Sequence, residues 1–181
     1  MVSADGRIVG ALLTLSVRFL HALQMTVEVL IREAEPRDVR TVLAYVRKLA
    51  AFEGLADTVR ATERDIADAL FSRRIIRALI AERATSYGGV TEVGALVFRY
   101  GFSTFAGKPS LYVEDIFVDP EYRRIGVARK LFGHLEDIAR DEGCERLEWA
   151  VLNWNDRAIE FYRSLGGYPN ADWKLWKLDL G

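Results

Sequence analysis

Apolar residues recur along the chain with two different periods, and the switches between them divide it into elements. Val39, Val42, Leu43, Val46 and Leu49 are spaced as one helical face, after Pro36, whose fixed φ suits a first helical turn, and before Gly54. Thr62-Glu63-Arg64-Asp65 is close to a capping box ahead of Ile66, Ala69 and Leu70, which predicts a second, short helix. Arg73 to Ala84 and Thr91 to Phe102 are β-rich runs about Tyr87-Gly88-Gly89, the pattern of a hairpin. Further strands are predicted at Val27 to Arg32, Leu111 to Val118, Glu145 to Leu152 and Trp173 to Leu180. In the last of these, Lys174 and Lys177 would guard a sheet edge. Asn155 to Leu165 reads as a short helix stopped by Gly166-Gly167. The order β-α-α-β-β-β-α-β-α-β predicts an α/β domain with a mixed sheet.

Ser110 to Gly143 is the stretch around which the rest is arranged. Its strand, Leu111 to Val118, is interrupted by two adjacent acids, Glu114 and Asp115, and stopped by Asp119-Pro120. After a basic turn the period becomes helical, with Val127, Leu131, Leu135, Ile138 and Ala139 on one stripe and Gly143 placed for a left-handed end. A helix start leaves backbone N–H groups unpaired and carries partial positive charge. Gly126 and the small Ala128 let a phosphate approach that backbone, and Arg123, Arg124 and Arg129 add full charges. The plain alternative is a solvated basic turn between strand and helix.

Composition changes this picture little. The chain has 181 residues, enough for one domain with a real core. Its 25 basic and 26 acidic residues leave a net charge of −1, so nothing draws nucleic acid globally and the arginine cluster is local. A lone cysteine, Cys144, excludes an intrachain disulfide, fits a reducing cytoplasm and reads as a small buried hydrophobe. With His21 and His134 it makes no zinc set, so no metal is expected. Arg7 to Leu23 imitates a signal peptide, but Arg18 and His21 interrupt the apolar run and it is too short to span a bilayer. The expected natural start is Met25, with residues 1–24 an appendage or gene-start artefact and 25–181 the domain.

Arg123-x-x-Gly126-x-Ala128 after an acid-bearing strand resembles the acetyl-CoA pyrophosphate loop of the GNAT superfamily of N-acetyltransferases. Asn153-Trp154-Asn155 through Glu160-Phe161-Tyr162-Arg163-Ser164-Leu165-Gly166 resembles the superfamily's last motif. Leu111–Val118 and Trp154–Tyr162 are closest to the diamine (spermidine/spermine) and thialysine N-acetyltransferase family, and the similarity runs from about Val27 to the C-terminus. The resemblance implies a mixed, mostly antiparallel central sheet flanked by helices, acetyl-CoA as co-substrate, a small primary amine as acceptor, and a cytoplasmic homodimer. It further implies that Arg123, Arg124, Ile125, Gly126, Val127, Ala128 and Arg129 hold the pyrophosphate. Backbone groups of Ile116, Phe117 and Val118 would pair with the pantetheine arm, and Asn155 would contact CoA.

Acetylating an amine poses two proton problems. At pH 7 only about one lysine-like amine in a few thousand is unprotonated, so a carboxylate must hold the ammonium and drain its proton. Glu114 and Asp115 are the candidates, and the resemblance favours Glu114 for the proton with Asp115 as a substrate contact, although adjacent strand residues face opposite ways unless a bulge intervenes. The plain reading makes one of them salt-bridged and the other exposed. The departing thiolate needs a proton in turn. Tyr162 fits a helical core stripe with Ile159 and Leu165, while the resemblance makes it the general acid. Asn155 reads as a helix N-cap on its own.

Around the amine, the resemblance points to Phe52 and Glu53 as an aromatic–acid pair and to Trp173 as a contact; a core aromatic and a solvated acid are the plain alternatives. In Tyr100 to Phe105, Ser103 and Thr104 replace the polyamine-reading residues of the family, which implies a lysine-like rather than a spermidine-like acceptor. The competing functions are a protein N-terminal or lysine acetyltransferase and a non-catalytic acyl-CoA-binding module.

Overall fold

A computed structural model describes residues 28–85 and 87–180. Five strands form one sheet in chain order: β1 (Val29–Glu33), β2 (Arg77–Ala84), β3 (Val90–Ser103), β4 (Lys108–Val118) and β5 (Leu147–Trp149). β1 to β4 pair antiparallel, and β4 pairs with β5 in parallel. A parallel pair needs a crossover, which is supplied by helix α3 (Val127–Asp141). The sheet is mixed and mostly antiparallel, with α1 (Val39–Phe52) and α2 (Glu63–Ala67) before β2 and α4 (Asp156–Ser164) after β5.

Local chemistry sets the joints. Pro36 opens a 3-10 turn that leads into α1. In that turn the buried Asp38 accepts the Glu35 N–H at 2.7 Å and two N–H groups of Arg32 at 2.6 and 2.9 Å, which ties α1 to β1. Thr62 and Asp65 form the capping box of α2, which widens into a π turn at Asp68–Ser72. The chain leaves that turn through Arg73 to Ile76, where the Ile75 N–H donates to the Ala69 carbonyl at 3.0 Å, so β2 begins at Arg77 rather than Arg73.

The alternation of strand side chains divides the core into two layers. Leu79, Leu96, Phe98, Leu111 and Val113 pack against Val127, Leu131, Phe132 and Leu135 of α3. Ile80, Ala95, Val97 and Phe117 pack against Val42, Leu43 and Tyr45 of α1 and Ile66 and Leu70 of α2 or the turn after it.

Three sequence expectations change. The first strand is Val29–Glu33; Val27 and the 1–24 leader lie outside the described residues. The strand expected over Glu145 to Leu152 shrinks to Leu147–Trp149, because β4 bends away beyond Val113. Trp173 to Leu180 joins no sheet, and Trp173, Leu175, Trp176, Leu178 and Leu180 are all exposed. From Arg140 to Leu180 no residue is buried.

Candidate active site

The site forms where β4 and β5 part. Leu111, Tyr112 and Val113 pair with Leu147, Glu148 and Trp149, and there β5 ends. Just beyond, the β3–β4 register slips: Val97 faces Asp115 and Phe98 faces Val113, leaving Glu114 as the extra residue of a bulge. The slip puts Asp115 and Phe117 on the α1 side, opposite Val97 and Ala95. It also bends β4 off β5, so the two strands diverge into a cleft.

Backbone direction follows from one hydrogen bond. The Asp119 N–H donates to the Val93 carbonyl at 3.0 Å, so Asp119 and the same-parity Phe117 turn their polar groups toward β3. Ile116 and Val118 turn theirs into the cleft. Of the three residues expected to pair with an extended ligand, Phe117 is therefore already committed to the β3 ladder.

The two adjacent acids have different surroundings. Glu114 is held at the surface by Arg99, whose guanidinium lies 4.5 Å from the Tyr112 ring centre. Asp115 is enclosed. Burial, then the negative charges of Glu114 and Glu53, push its carboxyl up to about 6. Glu53, the C-cap of α1, is also raised by burial. The bulge thus gives Glu114, the acid expected to carry the proton transfer, to Arg99, and turns Asp115 toward the α1 side.

Tyr162 on α4 packs 5.0 Å from Trp149 and 5.7 Å from Phe132, ring centre to ring centre. Burial and the nearby Glu53 push its hydroxyl up to about 12, which keeps it protonated, the form in which it can donate. The ring of Tyr162 is thus packed and its hydroxyl holds its proton. Across the mouth, Phe52 lies 6.4 Å from Phe117 and 5.9 Å from Trp154. A cavity of about 390 Å³ opens there, lined by Phe52, Trp154, Asn155, Asp156 and Arg157. Asn155 caps α4, its Oδ1 accepting the Ala158 N–H at 3.2 Å.

The loop after β4 runs to the start of α3. Arg124 and Gly126 both have positive φ, 65° and 90°. A Cβ built on Gly126 would meet nothing within 4 Å, so the ground before the α3 N-terminus is open, and the backbone rather than crowding demands glycine. Arg124, Ile125 and Gly126 are exposed, Ala128 is half-buried and Val127 is in the core. Arg129 turns toward α4, Nη2 donating to Ser164 Oγ at 2.8 Å. Arg123 turns inward, Nε donating to the Val118 carbonyl at 2.9 Å.

Two expected contacts are not brought to this cleft. Ser103 ends β3 at the hairpin turn, paired with Lys108 at the opposite end of β4, and its Oγ accepts the Ala106 N–H at 3.2 Å. It is a turn residue, so the argument from Ser103 about the acceptor falls away. Trp173 is 70% exposed on the C-terminal segment. Trp154, in contrast, belongs to the last motif and stands at the mouth. Its signal was its place beside Asn155, which names the helix start but not the partner ring.

Residues 52–167 match the Acetyltransferase (GNAT) family. The chain belongs to that family. The thialysine N-epsilon-acetyltransferase of Bos taurus is 36% identical over 152 residues, covering 82% of this chain and 89% of the bovine one. That of Caenorhabditis elegans is 34% identical over 148 residues, covering 80% and 88%. A solved probable acetyltransferase shares the fold, with a TM-score of 0.68 at 21% identity, over 84% of this chain and 98% of its own.

This GNAT protein is an acetyl-CoA-dependent acetyltransferase acting on amines. Its own residues fit the co-substrate. Gly126 leaves open the space a Cβ would fill, in front of the unpaired N–H groups of α3, which suits a pyrophosphate. Ile116 and Val118 offer a strand edge that no other strand pairs with, of the kind an amide-bearing arm adds to. Among the described residues no group of His, Cys, Asp and Glu is placed to hold a metal ion, and no helix is long and apolar enough to cross a membrane.

Proposed function

We propose that this GNAT acetyltransferase acetylates the primary amine of a small lysine-like or thialysine-like molecule by direct transfer, with Asp115 as base and Tyr162 as acid. The observation that carries the reading is the convergence of Asp115, Glu53 and Tyr162 at the mouth of the β4–β5 cleft. Two carboxyls raised by burial, one of them further by the other, gain most from a cation placed between them. An ammonium supplies it. Asp115 holds that ammonium and takes its proton; the amine nitrogen then bonds to the thioester carbon as the carbon–sulfur bond breaks. The cleft-facing N–H groups of Ile116 and Val118 are available to the carbonyl oxygen. The Tyr162 hydroxyl delivers a proton to the departing sulfur, and the proton shed by the acylated nitrogen restores that hydroxyl by way of solvent.

The acceptor class is supported by the thialysine N-epsilon-acetyltransferases, which align over most of both chains. A panel of small amines, read by free thiol released from acetyl-CoA, tests it. A lysine-like amine should give a higher kcat/KM than spermidine; a clear preference for spermidine, or turnover only on peptides, would replace this reading.

We further propose that the enzyme works as a homodimer in the cytoplasm. The apolar segment from Trp173 to Leu180 supports the first part, since five large exposed side chains call for a covering surface. The lone Cys144 suits a reducing compartment. Sedimentation of the full chain should give twice the monomer mass.

A further inference from the structure

We infer that Asp119, the residue that follows β4, is a positioning residue for both halves of the cleft. Its carboxylate pins α1 to the corner where the α3 loop begins, so that the acceptor wall and the pyrophosphate loop keep one fixed spacing. This rests on the assignment of acceptor and co-substrate to that cleft given above.

The backbone of Asp119 makes the corner. Its N–H donates to the Val93 carbonyl at 3.0 Å, which closes the β3 ladder. Its carbonyl accepts the Tyr122 N–H at 2.9 Å, which closes the turn at Pro120–Tyr122. Pro120 keeps the residue before it extended. The side chain then reaches the helix layer. Oδ2 accepts the Tyr45 hydroxyl at 2.9 Å, and Oδ1 accepts an N–H of the Lys48 ammonium at 2.6 Å. Tyr45 and Lys48 stand one turn apart on the same face of α1, with the ammonium 4.5 Å from the Tyr45 ring centre. Tyr45 is buried. Burial, then the adjacent Asp119 carboxylate, raise its hydroxyl far above the ordinary range, so it stays a donor.

Among the described residues no other hydrogen bond joins α1 to β4 or to the loop after it. The other contacts are apolar or face-on. The Tyr45 ring lies 6.2 Å from that of Phe117, and the Arg123 guanidinium lies 5.2 Å from the Phe52 ring centre. Such contacts attract without fixing a position, whereas two hydrogen bonds to one carboxylate fix it. What lies on either side gives the joint its consequence. Phe52 and Glu53 end α1, and Arg123 to Gly126 follow the corner. If α1 slides, the Phe52–Glu53 wall moves relative to Asp115. If the corner relaxes, the loop moves relative to the α3 N-terminus. One carboxylate restrains both.

Charge and position act in opposite directions here. Asp119 is an anion at the root of a loop that receives a pyrophosphate, so loss of its charge alone should tighten CoA. Loss of the joint should weaken CoA, because binding must then also order the loop.

Calorimetry with CoA, and KM and kcat with acetyl-CoA and the best amine from the panel, test this. Asp119→Ala should weaken CoA about fivefold or more and raise KM for the amine by a similar factor, with kcat within about threefold of wild type. Tyr45→Phe keeps the ring and alters α1 but not the loop. It should still weaken CoA by about two- to fivefold, and adding it to Asp119→Ala should weaken CoA little further. A contact that only stabilises the fold would lower Tm and leave both constants at their wild-type values. Unchanged or tighter CoA binding in Asp119→Ala overturns the inference, as does full CoA affinity in Tyr45→Phe, which decides alone if Asp119→Ala does not fold. A wild type that acetylates no amine would instead reject the acceptor reading, and the CoA calorimetry would still judge the joint.

Discussion

The two halves of β4 have the same secondary structure and opposite duties. From Lys108 to Val113 the strand pairs with β3, and from Leu111 to Val113 with β5 as well, where Leu111 and Val113 are buried against α3. From Glu114 to Val118 it has β3 alone, its outer backbone faces an open cleft, and its side chains include the two acids. One extra residue separates the halves. The bulge at Glu114 ends the pairing with β5 and shifts the face on which every later side chain falls. A continuous ladder would be the more stable sheet. The cost of interrupting it gives a strand edge that can receive a ligand instead of another strand.

If that division is right, substitutions in the open half should remove turnover and leave the fold, and substitutions in the closed half should do the reverse. The largest effect is expected at Asp115. Asp115→Asn should lower kcat by about 10²–10⁴, the usual contribution of a general base. The same change should raise stability at pH 7 by about 1–3 kcal/mol. The sign follows from the raised carboxyl, which moves from 3.8 to about 6. Between those values the folded chain keeps a proton that the unfolded chain loses, so wild-type stability falls as pH rises through that window. Thermal unfolding at pH 4 and pH 7 checks this, and a variant no more stable than wild type at pH 7 would place Asp115 in a compensated ion pair. Wild-type kcat/KM should rise with pH through about 6 as Asp115 ionises, and Asp115→Asn should lack that limb.

Tyr162→Phe keeps the packed ring and removes only the proton donor. We expect kcat to fall by about 10²–10⁴ with little change in CoA affinity or melting temperature. Near wild-type kcat would return Tyr162 to packing alone. In the closed half, Leu111→Ala should cost about 2–5 kcal/mol of stability, because the side chain is fully buried, with kcat per folded molecule nearly unchanged. A collapse of kcat in that variant would show that the halves are not separable. The smallest effect belongs to Glu114→Gln. Its partner Arg99 is at the surface, so stability should change by about 1 kcal/mol or less, and kcat far less than in Asp115→Asn. If the two variants lost activity equally, the proton would be shared by both acids.

Much of this protein was legible in the residues because the signals were local. Pro36, the Thr62–Asp65 box, Asn155 and Gly143 act within one turn of the backbone, and each does in the structure what its chemistry dictates. The two helical stripes and the strand alternation are periodic, so they too survive without knowledge of partners. The loop from Arg123 to Ala128 was legible for the same reason, since a positive φ at Gly126 and a helix start are properties of adjacent residues.

What remained hidden depended on register and on neighbours distant in sequence. Alternation says that Glu114 and Asp115 part company; only the slip against Val97 and Phe98 says which one enters the pocket. The β-rich composition of Trp173 to Leu180 predicts a strand, but a strand exists only where another edge accepts its hydrogen bonds, and here none does. Ser103 carries the right hydroxyl at the wrong end of β4, a fact set by hairpin pairing. Arg123 reads as a phosphate ligand in its motif, while the tertiary fold brings Phe52 from α1 beside Phe117 and lays the guanidinium on both rings. The sequence by itself determined the elements as far as α4, their order and the chemistry available. The tertiary structure alone decided which of two adjacent acids is desolvated, because burial is a property of the assembled faces and not of either residue.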